Sequence, residues 1–163
     1  MLLITGLQAD ARPPAVAGHT AQAPAMSREK FQRYVALFNT QDPDFLLYYQ
    51  PDVLFDKGTT GGLLKGRQAI IKWYADIWRD FAETITPLAT AIDGNGRIMM
   101  VEMRVRLEAR RNGVVWRGST FAKGEALIVD GTIVYTLKDG LITTIRGAAE
   151  GRYRVRAGQE NIP

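Results

Sequence analysis

Apolar residues recur at helical spacing in two stretches of the first half of the chain. Ser27 suits a helix N-cap, and it is followed by Phe31, Tyr34, Val35 and Phe38. Gly66 precedes a clearer stripe, which consists of Ile70, Trp73, Tyr74, Ile77, Trp78 and Phe81. Pro43 suits the first turn of a short helix between the two stretches. The pattern therefore predicts about three helices near the N-terminus.

The second half of the chain alternates between apolar and polar residues, which is typical of strands. Strands are expected at 53–55, 84–92, 98–109, 114–122, 125–137 and 141–149. Turn signals separate several of them, at Asp93-Gly94-Asn95-Gly96, Asn112-Gly113 and Lys138-Asp139-Gly140. Helices followed by antiparallel strands predict an α+β domain with the helices on one face of the sheet.

Composition narrows the class of protein. The 163 residues, 46% hydrophobic and 23% charged, suit a single globular domain. The absence of cysteine excludes disulfides and thiolate chemistry, and it fits a cytoplasmic location. No apolar stretch reaches the length of a membrane span, so no membrane partner is expected. The net charge is +4, but acids and bases are interleaved, so we expect no nucleic-acid partner either.

The chain divides into three parts by composition. Residues 1–25 are rich in alanine and proline and are predicted to be a flexible leader, 26–155 the folded domain and 156–163 a C-terminal tail. The leader holds His19, which is the only histidine of the sequence. A histidine-based metal site is therefore not expected, and the scattered carboxylates do not predict another kind of metal site.

Three segments carry a resemblance to a known superfamily. They are YQPDVLF at 49–55, LKGRQAIIKWY at 64–74 and YTLKDGLITTIR at 135–146. Over about 27–155 the chain resembles the nuclear-transport-factor-2-like superfamily, which includes SnoaL-like polyketide cyclases, ketosteroid isomerases and limonene-epoxide hydrolases. The resemblance implies a cone-shaped, strongly curved antiparallel or mixed sheet, with helices enclosing a pocket as in cystatin-like folds. It also implies a small hydrophobic ligand, no cofactor, and a homodimer formed through the outer face of the sheet.

The resemblance to ketosteroid isomerases points to Tyr34 and Lys57. With one gap, Tyr34 falls where those enzymes carry the tyrosine that hydrogen-bonds the substrate oxygen; alternatively, it is part of the first helix's core stripe. Lys57 stands at the position of their catalytic aspartate, next to Asp56. A desolvated lysine can act as a base or a nucleophile, whereas a solvated lysine at a loop mouth would do neither. A one-residue offset of the strand would point Asp56 inward instead.

The resemblance to limonene-epoxide hydrolases points to Glu150 and Arg104. Glu150 falls where those enzymes place the carboxylate that activates water, and Arg104 lies on a strand resembling the one with their arginine. Arg106 replaces their second aspartate, so we expect no intact epoxide-hydrolase site.

Asp130 precedes Gly131 in an apolar strand. If it faces inward it would be a general acid or base, and in a bulge it would be a structural turn residue.

Strand parity predicts the lining of the pocket. If Met103 and its alternate neighbours face the pocket, Glu102 and Arg104 face outward, because buried charges need full pairing. Arg104 nevertheless stays a candidate for substrate binding. The expected apolar lining consists of Phe55, Trp73, Trp78, Met99, Val101 and Met103.

Two functions follow from these residues. The first is a cofactor-free isomerase, lyase, cyclase or hydrolase that acts on a small hydrophobic, oxygen-bearing compound. Its candidate catalytic residues are Tyr34, Lys57, Asp130 and Glu150. The second is a non-catalytic module for ligand binding or dimerisation, because none of the known catalytic sets is complete.

Overall fold

The computed structural model describes residues 25–58 and 61–159. Helix α1, Arg28–Asn39, begins where the Ser27 hydroxyl oxygen accepts a hydrogen bond from the Lys30 backbone N–H at 3.1 Å. A short 3₁₀ helix follows at Pro43–Tyr48, and helix α2 spans Arg67–Asp80. These are the three helices that the apolar spacing predicts.

Eight strands follow or separate these helices in the described part of the chain. They are β1 Tyr49–Asp56, β2 Leu63–Lys65, β3 Phe81–Ile92, β4 Ile98–Ala109, β5 Val114–Trp116, β6 Ser119–Phe121, β7 Ala126–Lys138 and β8 Leu141–Val155. Six of them form one sheet in the order β2-β1-β8-β7-β4-β3, and β5 and β6 form a separate hairpin. The pair β1–β8 is parallel and the other pairs of the large sheet are antiparallel. The predicted α+β fold with a strongly curved mixed sheet is confirmed.

One amide side chain fixes helix α1 to the edge strand β3. The Asn39 side-chain nitrogen donates to the Ile85 carbonyl at 3.0 Å, and the Ile85 N–H donates to the Asn39 side-chain oxygen at 2.8 Å. Asn39 therefore pairs with the strand edge as another strand would. The main core lies between the helices and the inner face of the sheet, where Phe31, Phe38 and Ile70 are almost fully buried.

Strands β7 and β8 approach each other closely at Gly131, next to an irregularity in their pairing. Asp130 pairs with Gly151 and Gly131 pairs with Ala149, so Glu150 is the extra residue of a β-bulge in β8. A Cβ atom at position 131 would lie 2.2 Å from the Ala148 carbonyl oxygen. Only glycine fits this close approach, because any side chain would force the two strands apart.

Several boundaries differ from the sequence-based expectation. The single strand expected over 114–122 is the hairpin β5–β6, since Arg117 and Gly118 take φ angles of 48° and 79° and turn the chain back. The apolar stripe of α2 was expected to include Phe81, but α2 ends at Asp80 and Phe81 starts β3 in an extended conformation. The last strand, β8, continues beyond the expected 141–149 as far as Val155.

The predicted leader and tail lie largely outside the described residues. Of the leader only Ala25 is described, and of the tail only 156–159. The proposed boundaries of the domain therefore stay a prediction. In the part of the chain that the structure describes, no helix is long and apolar enough to span a membrane.

We predict that Gly131→Ala destabilises the protein by about 2 kcal/mol or more, because its Cβ atom collides with the Ala148 carbonyl oxygen. The matched control is Gly147→Ala, whose Cβ atom meets only an Ile133 methylene at an ordinary 3.7 Å. That change should be neutral or slightly stabilising. Urea unfolding of both variants measures the difference, and equal stabilities would contradict the close approach at Gly131.

Candidate functional site

A cavity of about 540 Å³ lies between the helices, the inner face of the curved sheet and the β5–β6 hairpin. Its aromatic walls are formed by Tyr34, Phe38, Phe55, Trp73, Tyr74, Trp116 and Tyr135. Another part of the lining is formed by small residues where β7 and β8 approach closely, namely Gly131, Gly147, Ala148 and Ala149. A cavity of this size, mostly apolar and with few polar groups, is typical of a small-molecule site.

Glu83 is the one buried charged residue in the described part of the chain, and it lines this cavity. Its carboxylate accepts a hydrogen bond of 3.0 Å from the Trp78 indole N–H. Burial raises the pKa of Glu83 to about 7, although the Trp78 hydrogen bond acts in the opposite direction. Glu83 can therefore accept or release a proton near neutral pH.

The contact between Trp78 and Glu83 results from an abrupt junction. Helix α2 ends at Asp80 and β3 begins at the next residue. The alternation of β3 then turns Phe81, Glu83 and Ile85 inward, because successive side chains of a strand point to opposite faces. Trp78 lies in the last turn of α2, and its indole reaches Glu83, only five residues further along the chain.

Buried tyrosines form the polar part of the cavity next to Glu83. Tyr34, Tyr74 and Tyr135 line it, and the hydroxyl of Tyr34 lies 2.8 Å from that of Tyr49 behind it. Burial raises the pKa of all four phenols above their ordinary value of 10. They stay protonated at neutral pH, so those in the lining can donate hydrogen bonds to an oxygen atom in the cavity.

Lys57 and Asp56 both line the cavity, so the strand offset does not choose between them. The Lys57 ammonium lies over the Trp73 ring, 5.2 Å from its centroid. The Asp56 carboxylate accepts a hydrogen bond of 2.9 Å from the Gly58 N–H. Lys57 is thus half-buried against an aromatic ring. Asp56 accepts a hydrogen bond from the backbone of the turn that follows it.

Arg104 and Asp130 lie away from the cavity, on the other face of the sheet. The two residues are cross-strand partners and form a bidentate ion pair, with distances of 2.8 Å and 3.0 Å. The hydrogen bonds from Arg104 lower the pKa of Asp130. Glu150 is exposed in the β-bulge and accepts a hydrogen bond of 2.7 Å from the Thr132 hydroxyl. The structure does not bring these three residues to the cavity.

The apolar candidates divide between the cavity and the core. Phe55, Trp73 and Met103 line the cavity. Met99 and Val101 are fully buried in the core beyond it, and Trp78 contributes through its hydrogen bond to Glu83. The parity expected for 98–109 agrees with this burial pattern, because Met99, Val101 and Met103 are buried while Glu102 is exposed.

Sequence reasoning missed Glu83, although a signal was present. A single acid stands on the apolar face formed by Phe81 and Ile85, where a neutral residue would be ordinary. The apolar stripe of α2 runs on to Phe81 and the alternation of the next predicted strand begins at Thr84, so the pattern leaves Glu83 between two elements. The pattern places Tyr74 in the apolar stripe of a helix and Tyr135 in a segment that carries the family resemblance, and neither signal indicates a site residue.

Among residues 25–58 and 61–159, no group of three or more acids or histidines is placed to hold a metal ion. The polar groups of the cavity are instead a carboxyl, phenols and a few charged side chains near the solvent. Such groups support proton transfer and hydrogen bonding with no metal ligand set among them.

The bent sheet, the helices that cover it and the cavity between them define a pocket protein of the nuclear-transport-factor-2-like superfamily. The SnoaL-like domain family matches residues 31–145. The chain therefore belongs to the SnoaL-like domain family. No curated protein matches the sequence.

Solved structures share the fold at low sequence identity. A candidate polyketide cyclase from Xanthomonas campestris pv. campestris is 22% identical with a TM-score of 0.62, covering 72% of this chain and 84% of that one. Delta 5-3-ketosteroid isomerase from Mycobacterium sp. is 17% identical with a TM-score of 0.61, covering 77% and 95%. A Mycobacterium tuberculosis protein in complex with estradiol-17beta-hemisuccinate is 21% identical with a TM-score of 0.57, covering 72% and 88%. At these identities the likeness establishes the fold alone.

We predict that Glu83 makes the protein less stable as the pH rises. Its pKa is raised from an ordinary 4.5 to about 7, so the folded protein holds the proton longer than the unfolded chain does. Stability should fall between about pH 4.5 and 7, by up to about 3 kcal/mol. Glu83→Gln keeps a hydrogen-bond acceptor for Trp78 and should remove this loss.

Urea unfolding between pH 4 and pH 9 tests this prediction. Wild type and Glu83→Gln should have similar stability near pH 4, and the variant should be the more stable one above pH 7. A matched Glu102→Gln change at an exposed site should leave the pH dependence as in the wild type. Parallel curves for wild type and Glu83→Gln would contradict an elevated pKa at Glu83.

Proposed function

We propose that the protein is a cofactor-free enzyme that moves a proton on a small hydrophobic, oxygen-bearing compound, with Glu83 as the acid or base. The observation on which this depends is the carboxyl of Glu83, the one buried acid among the described residues, in an apolar cavity and with a pKa of about 7. A base whose pKa lies near the working pH combines adequate strength with an adequate ionised fraction.

The buried phenols support the second half of such a mechanism. When a carboxylate removes a proton from a carbon next to a carbonyl group, negative charge develops on the carbonyl oxygen. Tyr34 lines the cavity and can accept a hydrogen bond from Tyr49 while its own O–H donates into the cavity. Such a donor would stabilise the oxyanion, and Tyr135 offers a second phenol in the same lining.

The other candidates from the sequence take different places in this proposal. Lys57 lines the cavity and could contact a substrate directly, with Trp73 supporting its ammonium group. Asp130 is paired with Arg104 on the other face of the sheet. Glu150 does not line the cavity itself and accepts a hydrogen bond from Thr132, which does. For these two, the positions favour a structural role over proton transfer. A homodimer through the outer sheet face and a cytoplasmic location stay predictions.

A second candidate function is ligand binding without turnover. The observation in its favour is Lys57, a cation held against Trp73 at the position where ketosteroid isomerases carry their catalytic aspartate. In such a binder the walls would supply affinity, and Glu83 would accept a hydrogen bond from the ligand or donate one to it. The two functions differ in whether a bound ketone exchanges its protons.

Deuterium exchange in a simple apolar ketone tests the proposed chemistry. The protons next to the carbonyl of 2-tetralone exchange in D₂O, and proton NMR follows their loss. The wild type should accelerate this exchange over buffer, with a rate that rises through about pH 7 as Glu83 ionises. Glu83→Gln should lower the enzymatic rate by about a hundredfold or more, and Tyr34→Phe by about a hundredfold.

Glu102→Gln is the matched control, because it removes an exposed acid on the other face of the sheet. Its exchange rate should equal that of the wild type. Full activity in Glu83→Gln would overturn the role of Glu83. Saturable binding of the ketone with no acceleration of exchange would favour the ligand-binding function instead.

A further inference from the structure

Three cationic side chains stand at the solvent side of the cavity lining. Lys57 at the end of β1, Arg117 in the turn of the β5–β6 hairpin and Arg152 in β8 all line the cavity. Lys57 is half-buried, and both arginines are exposed. We call these three residues the cationic rim, and among the described residues Asp56 is the one acid beside them in the lining.

The rim arginines lack the acidic partners that several other arginines of the chain have. Arg104, Arg111 and Arg154 each form an ion pair, with Asp130, Asp80 and Glu125 respectively. In the described part of the chain, Arg117 and Arg152 form neither an ion pair nor a hydrogen bond through their side chains. Their guanidinium groups therefore keep all their donors available for a ligand.

A β-bulge directs Arg152 toward the cavity. Without the extra residue Glu150, the alternation of β8 would place Arg152 opposite Ile128, on the face away from the cavity. With the bulge, Arg152 pairs with Val129, which lines the cavity. Bulges re-aim side chains in this way next to functional sites.

An unusual turn holds Arg117 at the cavity. In this two-residue turn both central residues have a positive φ, which favours asparagine, aspartate or glycine at the first position. Arginine occupies that position, with a φ of 48°. The preceding Trp116 also lines the cavity and packs edge-on against Phe81, which fixes the hairpin beside the opening.

We propose that the cavity binds an apolar organic acid, with its anionic group held by Arg117, Arg152 and Lys57 and its apolar body between the aromatic walls. The opposite arrangement is unfavourable, because it would bury the anionic group beside the Glu83 carboxyl without a cationic partner. The proposal rests on the proposed function in one respect. The ligand's reactive end is taken to be the end that this orientation directs toward Glu83. The cationic rim thus sets both the substrate class and its direction of entry.

Two dyes that share one apolar body test the proposal. N-phenyl-1-naphthylamine is neutral, and 1-anilinonaphthalene-8-sulfonate is the same molecule with an anionic sulfonate. The fluorescence of both rises in an apolar site, so titration gives a dissociation constant for each. In the double variant Arg117→Gln/Arg152→Gln, the anionic dye should bind about tenfold more weakly, equivalent to about 1.4 kcal/mol. The neutral dye should bind as it does to the wild type.

The matched control is Arg146→Gln/Arg156→Gln, which removes the same charge from exposed arginines outside the lining. Both dyes should bind this control as they bind the wild type. Raising the NaCl concentration from 20 to 300 mM should weaken the anionic dye alone, because salt screens the exposed charges. Unchanged affinity for the neutral dye also verifies that the rim variant keeps its folded cavity.

Each outcome separates this proposal from the proposed function. The cationic rim is refuted if the rim variant loses no affinity for the anionic dye, loses it equally for both dyes, or loses no more than the control. The proposed function fails alone if the rim discriminates as expected while Glu83→Gln has no effect on ketone exchange. If the wild type binds neither dye, the cavity takes no apolar ligand and both are overturned.

Discussion

The close approach of β8 to β7 at Gly131 is the constraint on which the rest of the structure depends. Because the Ala148 carbonyl occupies the space that a side chain would take, the two strands can pair this closely only with glycine at position 131. Gly131, Ala148 and Ala149 thereby form part of the wall of the cavity of about 540 Å³ between the curved sheet and the helices. The adjacent bulge at Glu150 then changes which face of the sheet the β8 side chains after it point to. The close approach and the bulge beside it therefore shape one wall of the cavity and determine which β8 side chains reach it.

That cavity has three zones that differ in polarity. The buried end combines a carboxyl of elevated pKa with protonated phenols, the middle is aromatic and aliphatic, and the opening is cationic. A ligand that matched all three zones would have an oxygen function at one end and an acidic group at the other. The ion pair Arg104–Asp130 lies on the opposite face, where it stabilises the pairing of β4 with β7, and it belongs to none of these zones.

Sequence reasoning succeeded where local signals were redundant. The strand at Ile98–Ala109 was located to the residue, since strict alternation and the Asp93-Gly94-Asn95-Gly96 turn agree. It failed where one pattern ran into another: the apolar stripe of α2 continues in register into β3, which concealed Glu83. It also missed the Arg117 turn, because arginine is not a turn residue by preference. Whether Asp130 faces the cavity depends on pairing between distant strands, which local sequence does not specify.

The partial ionisation of Glu83 near neutral pH has a consequence for any ligand. An apolar molecule that displaces water from around this carboxyl would raise its pKa further, so the protein would take up a fraction of a proton on binding. Affinity for an uncharged ligand would then decrease in alkaline solution, and the heat of binding would depend on the ionisation enthalpy of the buffer. Ligand binding in the cavity and proton binding at Glu83 are therefore thermodynamically linked.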